Sequence, residues 1–328
     1  MKNLIRIGLI AAMAFAICGC SPADETYELN MAYLGSGDFS AASFVAAAEE
    51  IERLTGGNVK IDVVTEDESG GIELIYKELA GGGIDMAFIR APVQYDIMAE
   101  IAYLPFYVTD YSEGRSAWVC GSSFYTEFDE LQARKGLKLL GIFPAGFMGL
   151  GAKEINPDAC FDFSVIKEEL FRIPEIETMK IMTKTMGFRS APLMFSDIDY
   201  AFKTGVIQGW IGGGAQVNYD EFRDEIEYYI DYRYANDLFL VLANREMFDS
   251  LPPEYQDVIM ETFKSESLAA IEGREAVETQ ALANLKNYGI TVIIPSLDER
   301  NSMAAYMRSY VWPQLEKKFG IGLIDSFE

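Results

Sequence analysis

The sequence contains no histidine and only four cysteines in 328 residues. The missing imidazoles exclude Ser-His-Asp and Cys-His catalysis, because both need histidine to take a proton from the nucleophile. They also remove a main zinc ligand, and with Cys120 and Cys160 far apart in the chain, a zinc site is not expected either. Basic residues are scarce: 27 Lys and Arg stand against 51 Asp and Glu, a net charge of −24. Nucleic acids and anionic membrane surfaces bind through basic patches, so neither is an expected partner. A solvated acidic surface suits solubility or a salty habitat, and an anionic ligand would need a local positive site to overcome that field. Carboxylates are plentiful, yet nothing in their spacing singles out an acid–base pair. No apolar run reaches the roughly 20 residues of a membrane-spanning helix.

What is present is half apolar and 24 % charged, a globular composition. At roughly 150 residues per domain, the length predicts about two domains. The N-terminus reads as a targeting segment: Lys2 and Arg6 are basic, Leu4 to Ile17 is mostly apolar, and Ile17-Cys18-Gly19-Cys20 follows. Residues 1–19 are therefore expected to be a signal peptide. Cys20 resembles the acylated first residue of a bacterial lipoprotein, with 20–26 as a tether; the alternative is a simple signal peptide with an incidental cysteine. Export would permit a disulfide between Cys120 and Cys160, although two separate buried thiols fit equally well.

The chain then begins strand, helix, strand. Tyr27–Leu34 is followed by a helix from Ser40 to Thr55 with Phe44, Ala48, Ile51 and Leu54 on one face, and by Val59–Val64. That order predicts a parallel sheet in an α/β fold. After the acidic loop Thr65–Gly71, a helix through Ile72, Leu74, Ile75 and Leu79 ends at Gly81-Gly82-Gly83. The triplet reads as a helix stop, since it lacks the Lys-Ser/Thr of a phosphate-binding loop. The strand Ile84–Ile89 delivers Arg90 to its carboxyl end, either as a surface residue or into a cleft. Between Glu254 and Tyr288 there is no proline and only Gly273, so a helix of about 50 Å is predicted at 1.5 Å per residue. Ser296-Leu297-Asp298-Glu299 is a capping box for the last helix.

The stretch Phe171–Trp210 organises the rest. Phe171-Arg172-Ile173 is a strand closed by Pro174, a helix runs through Met179, Ile181, Met182 and Met186, and Gly187 stops it. Ser196 is expected to cap a short helix ending at Gly205, with Asp199 completing a capping box. Val206–Trp210 then reads as another buried strand. Open α/β sheets bind ligands beyond the carboxyl ends of their strands, where Arg172 stands.

The order Arg-Ile-Pro, helix, Gly-Phe, Ala-Pro-Leu, Phe-Ser-Asp, short helix, Thr-Gly-Val-Ile-Gln-Gly resembles the DctP-type solute-binding proteins of TRAP (tripartite ATP-independent periplasmic) transporters. So do Ile-Asp-Met-Ala at Ile84–Ala87, Leu-Pro-Phe at Leu104–Phe106, and Leu-Pro-Pro-Glu at Leu251–Glu254. The resemblance implies a two-domain periplasmic-binding-protein fold with strands crossing a hinge and a long helix spanning both domains. Domain I would comprise 27–146 and 237–275, and domain II 147–236 and 276–328. A small organic acid would be held in the interdomain cleft and passed to the TRAP membrane subunits for ion-gradient-driven uptake, from a lipid-anchored position in the periplasm or at the cell surface. No chemistry, cofactor or metal is implied.

Arg172 matches the family's carboxylate-binding arginine; a structural ion pair is its alternative role. A second arginine common two residues after Gly146 is Met148 here, so Arg90 is the candidate substitute. The family's Gln-Glu-Asn-Pro after Gly209 is replaced by Trp210-Ile211-Gly212-Gly213-Gly214-Ala215. Trp210 is a candidate flat wall for a less polar acid, or core packing. Asn236 and Asp237 are candidate contacts at the second hinge crossing, and the aromatics around Tyr103 read as packing. Two rival functions remain at this stage: a ligand-sensing receptor for a signalling kinase, and a lipoprotein enzyme on the same scaffold.

Overall fold

A computed structural model describes residues 26–35, 39–65 and 71–319; Cys20 and the leader before it lie outside them. Eleven strands are found among the described residues: β1 (Tyr27–Tyr33), β2 (Val59–Thr65), β3 (Met86–Arg90), β4 (Leu137–Phe147), β5 (Gly149–Ala152), β6 (Lys167–Ile173), β7 (Phe188–Pro192), β8 (Gly209–Gly212), β9 (Tyr228–Ile230), β10 (Asn236–Asn244) and β11 (Thr291–Ile293). They form two sheets, ordered β2-β1-β3-β10-β4 and β11-β9-β5-β8-β6-β7. In the first, β1, β2 and β3 are parallel and β10 runs antiparallel to both β3 and β4.

The first sheet is covered on both faces, and the period of two along its strands shows how. In β10, Phe239, Val241 and Ala243 pack with Phe44, Ile51, Ile259 and Phe263, whereas Leu238, Leu240 and Leu242 face Ile75, Leu79, Phe124 and Phe128. Such doubly buried strands read as continuous apolar runs, as Leu238–Ala243 does.

The chain passes between the sheets twice through strands. β4 runs into β5 with only Met148 between them, and β10 begins directly after Asp231–Ala235. Met148 N donates to Ala235 O at 2.8 Å, which ties the two crossings together. At this bend Gly146 adopts φ +124°, and a Cβ there would lie 2.4 Å from Glu278 Oε1, so a side chain would be both strained and obstructed.

The third link is the helix Pro253–Tyr288. Its 36 residues make it about 54 Å long at 1.5 Å per residue. Ile259 and Phe263 lie in the core of the first half, while Ala281 and Leu285 lie with Trp210, Phe222 and Tyr229 in the second. Gly289, at φ +107°, ends it. The fold is thus the two-domain α/β arrangement expected from the chain, with crossing strands and one helix spanning both halves. The final helices, Leu297–Tyr310 and Trp312–Phe319, lean on both: Trp312 Nε1 donates to Pro105 O at 2.8 Å, and Lys318 pairs with Glu177 at 2.8 Å.

Two local expectations are corrected, and the open question of the cysteines is decided. Ser196 caps nothing: Phe195–Asp197 is a 3-10 turn, Asp197 N is bonded to Met194 O, and the helix Ile198–Lys203 has no side-chain cap. The strand expected at Val206 starts at Gly209, and the Gln208 side chain accepts from Leu170 N and donates to Gly205 O. Cys120 and Cys160 are free thiols, with Cys160 fully buried below a Tyr232 hydroxyl that donates to its carbonyl at 2.6 Å. The capping box at Ser296 and Glu299 is present.

Candidate functional site

Between the two sheets lies a cavity of about 460 Å³. β3 delivers Arg90 to its first wall and β6 delivers Arg172 to the other, each at the carboxyl end of its strand. Trp210, Gly212, Gly213, Met148, Tyr103 and Asp237 complete the inner lining.

Arg172 is 5 % exposed. Its Nε donates to Leu193 O at 2.8 Å, and among the described residues it has no carboxylate partner. Burial brings its pKa down to about 10, with the Tyr234 phenol opposing and the Arg90 charge adding to that fall. It therefore stays charged at neutral pH, as a buried cation without a counter-charge, a condition that favours an incoming anion.

Arg90 is in a different state. Its Nε lies 3.0 Å from Asp237 Oδ2, its side chain is 42 % exposed, and its guanidinium stacks 4.9 Å from the Phe239 ring. Burial opposes its charge, yet Asp237 and Tyr103 hold its pKa above the ordinary arginine value. Strand register builds the pair: Phe239 sits opposite Arg90, and Asp237, two residues earlier, shares the face of Phe239. Tyr103 OH donates to Asp237 Oδ1 at 3.0 Å, and burial raises that phenol far out of the titratable range. Tyr103 was expected only to pack; its place beneath Asp237 depends on a contact across 134 residues that no local pattern carries.

Asn236 is buried but is not among the residues that line the cavity, and neither atom of its amide has a hydrogen-bond partner. Alternation along β10 accounts for this, because a strand that turns Asp237 to the cavity turns Asn236 away. Trp210 meets both descriptions given for it: it lines the cavity and packs on Phe222, with ring centroids 4.8 Å apart. Its Nε1 donates to Asn218 Oδ1 at 2.9 Å, and Asn218 Nδ2 holds Gly213 O and Gly214 O. A Cβ on Gly212 would come 2.2 Å from the indole, so the backbone lies on the ring only because glycine stands there. Met148 lines the cavity where the resemblance led to arginine.

One clasp joins the halves beside this site. Glu100 accepts from Thr178 N at 2.8 Å, Thr178 Oγ1 at 2.7 Å and Glu177 N at 3.2 Å, at the N-terminus of the helix Glu177–Thr185 that follows the Arg172 strand. A carboxylate there meets the unpaired amides and the positive end of the helix dipole. No group of three or more His, Cys, Asp or Glu among the described residues could hold a metal ion. No helix among them is long and apolar enough to cross a membrane.

Two α/β halves joined by crossing strands, with a cavity between them that holds a buried arginine unpaired among the described residues, define a ligand-capturing protein of the periplasmic-binding type. Residues 33–318 match the family described as bacterial extracellular solute-binding protein, family 7 (DctP), and the chain belongs to that family. Solved structures agree on the fold. A TRAP periplasmic solute-binding protein from Ochrobactrum anthropi, with its C-terminus bound in the ligand-binding pocket, has a TM-score of 0.80 at 16 % identity, covering 93 % of this chain and 94 % of that one. The DctP7 receptor from Bordetella pertussis, which binds pyroglutamic acid, has a TM-score of 0.74 at 20 % identity and 92 % and 99 % coverage. One from Desulfovibrio salexigens with bound orotic acid scores 0.75 at 19 % identity, covering 92 % and 97 %. The periplasmic ectoine/5-hydroxyectoine-binding protein UehA of Ruegeria pomeroyi is 28 % identical over 160 residues, 47 % of this chain. That match spans less than half of the relative, 43 % of its length.

Proposed function

We propose that the protein captures a small organic acid in the interdomain cleft, with Arg172 as the carboxylate clamp, and delivers it without chemical change to the membrane subunits of a TRAP transporter for ion-gradient-driven uptake. One observation carries this reading: the Arg172 guanidinium is buried on the cavity wall with no carboxylate among the described residues to neutralise it. A planar guanidinium fork matches a carboxylate edge to edge, and both charges gain strength where water is excluded. The acids bound by related receptors support the same class. Arg90, Asp237 and Trp210 form the walls in this reading, and Asn236, which does not line the cavity, is not among them. The domain limits in this reading are 146/147, 236/237 and 275/276, the first two beside the strand crossings and the third within the long helix. Cys20 carries the lipid that keeps the protein at the membrane after residues 1–19 are removed.

A thermal-shift screen of the chain lacking residues 1–20, against keto, hydroxy, aromatic, cyclic and sugar acids, tests the proposal. A ligand that binds only the folded state raises stability by about 4 kcal/mol at a thousand times its Kd. Shifts from acids that vanish in Arg172→Ala are expected. Shifts only from neutral or cationic compounds would overturn the assignment.

A further inference from the structure

The two arginines of the cavity do not carry equal free charge, and the difference bears on which acids can enter. Arg90 already holds a carboxylate. Asp237 is nearly buried, with its Oδ2 3.0 Å from Arg90 Nε and its Oδ1 accepting from the Tyr103 hydroxyl, so its charge balances that of Arg90 and the pair is neutral. Arg172 holds none.

The other described residues of the inner lining carry no formal charge: Ile72, Val93, Met148, Pro174, Ile176 and Trp210 are apolar walls. Acidic groups return only at the rim, where Asp220 and Glu221 on the helix Ala215–Phe222 are exposed. The inner cavity therefore has one open positive charge, surrounded by apolar surface and guarded by negative charge.

We propose that Asp237 sets the charge of the accepted ligand: by neutralising Arg90 it restricts the cleft to acids with a single carboxylate and an otherwise uncharged body. This rests on Arg172 being the clamp. The first carboxylate of a ligand meets Arg172. A second, placed toward β3, meets a guanidinium whose charge is already balanced and an Asp237 that repels it; placed outward, it meets Asp220 and Glu221. A carboxylate buried without its own counter-charge is strongly penalised. The terminal nitrogens of Arg90 remain donors for a neutral oxygen, such as a keto, lactam or hydroxyl group. The same balance disfavours amino acids, because the charge of the one described inner carboxylate that could pair with an ammonium is already balanced by Arg90.

Isothermal titration of the chain lacking residues 1–20 tests this with length-matched probes: 2-hydroxybutanoate against malate, 2-oxobutanoate against oxaloacetate, and pyroglutamate against glutarate. We expect the monocarboxylates that bind to do so on the order of 100-fold more tightly than their dicarboxylate partners, the scale of a buried charge left without a partner. Asp237→Asn, which frees the Arg90 charge while keeping an acceptor for Tyr103, should narrow that ratio at least tenfold by admitting the dicarboxylates. The double variant Arg90→Gln/Asp237→Asn, which restores a single open charge, should bring the preference back. A brace with no part in selection would change stability in these variants and leave the ratio where it was. Equal affinity for both members of the pairs in the wild type overturns the inference while the organic-acid reading stands. Failure of every acid to bind removes both.

Discussion

Replacing Arg172 with methionine should move stability and binding in opposite directions. The guanidinium is 5 % exposed, has one hydrogen bond to Leu193 O, and meets no carboxylate among the described residues. Its pKa falls from 12.5 to about 10, chiefly through burial. At about 1.36 kcal/mol per pH unit, keeping it charged in the empty cleft costs about 3 kcal/mol. Methionine removes the charge and keeps much of the stem's packing, at the loss of one hydrogen bond of about 1 kcal/mol. The ligand-free protein should gain about 2 kcal/mol, a rise of several degrees in Tm for a chain of this size. Binding should suffer, because losing one partner of a desolvated charge pair costs about 2–5 kcal/mol. That is a Kd weakened roughly 30- to 5,000-fold. Calorimetric unfolding without ligand and isothermal titration with an acid from the screen measure the two effects separately. A fall of several degrees in Tm with an unchanged Kd would refute the reasoning and make Arg172 a brace of its own domain.

Three further outcomes follow from other parts of the molecule. Burial pushes the Cys160 thiol up to about 11, and its side chain has no exposure, so a thiol reagent should label Cys120 alone in the native chain lacking residues 1–20 and reach Cys160 only with unfolding. Mass spectrometry finding both labelled at one rate, or neither, would contradict this. Glu100→Ala strips three hydrogen bonds from the start of the helix Glu177–Thr185 and should cost roughly 3 kcal/mol in a denaturant titration, against a near-zero change if the clasp is idle. Burial brings Lys167 down to about 8 from 10.5, so between those pH values the unfolded chain holds the extra proton and stability rises with pH. The unfolding free energy of the wild type minus that of Lys167→Met should climb across this window, and a flat difference would mean that the Asp162 and Met186 carbonyls, which accept from its Nζ at 2.7 and 2.8 Å, keep the ammonium charged.

The elements that were legible share one property: their signals lie within a few residues of each other. The doubly wound start of the chain, the glycine stops at Gly82 and Gly289, the capping box at Ser296 and the long proline-free helix are all read from neighbours in sequence. The position of Arg172 at the carboxyl end of a strand is of the same kind. Local reasoning failed twice in one stretch: the strand expected from Val206 starts only at Gly209, and Ser196 lost its capping role to the main-chain turn from Met194 to Asp197.

The sequence by itself thus determined the order of strands and helices, the span of the long helix, and which strand ends carry arginine, because periodicity and punctuation act over one or two turns of chain. Only the tertiary structure decided which arginine is free. The antiparallel register of β10 on β3 sets Asp237 on Arg90, the Tyr103 hydroxyl reaches Asp237 from 134 residues away, and the alternation of side chains along β10 turns Asn236 out of the cavity. Those pairings are fixed by packing two strands and a helical turn against a common core, and a linear pattern has no term for the distance between residues that meet only when the sheet closes.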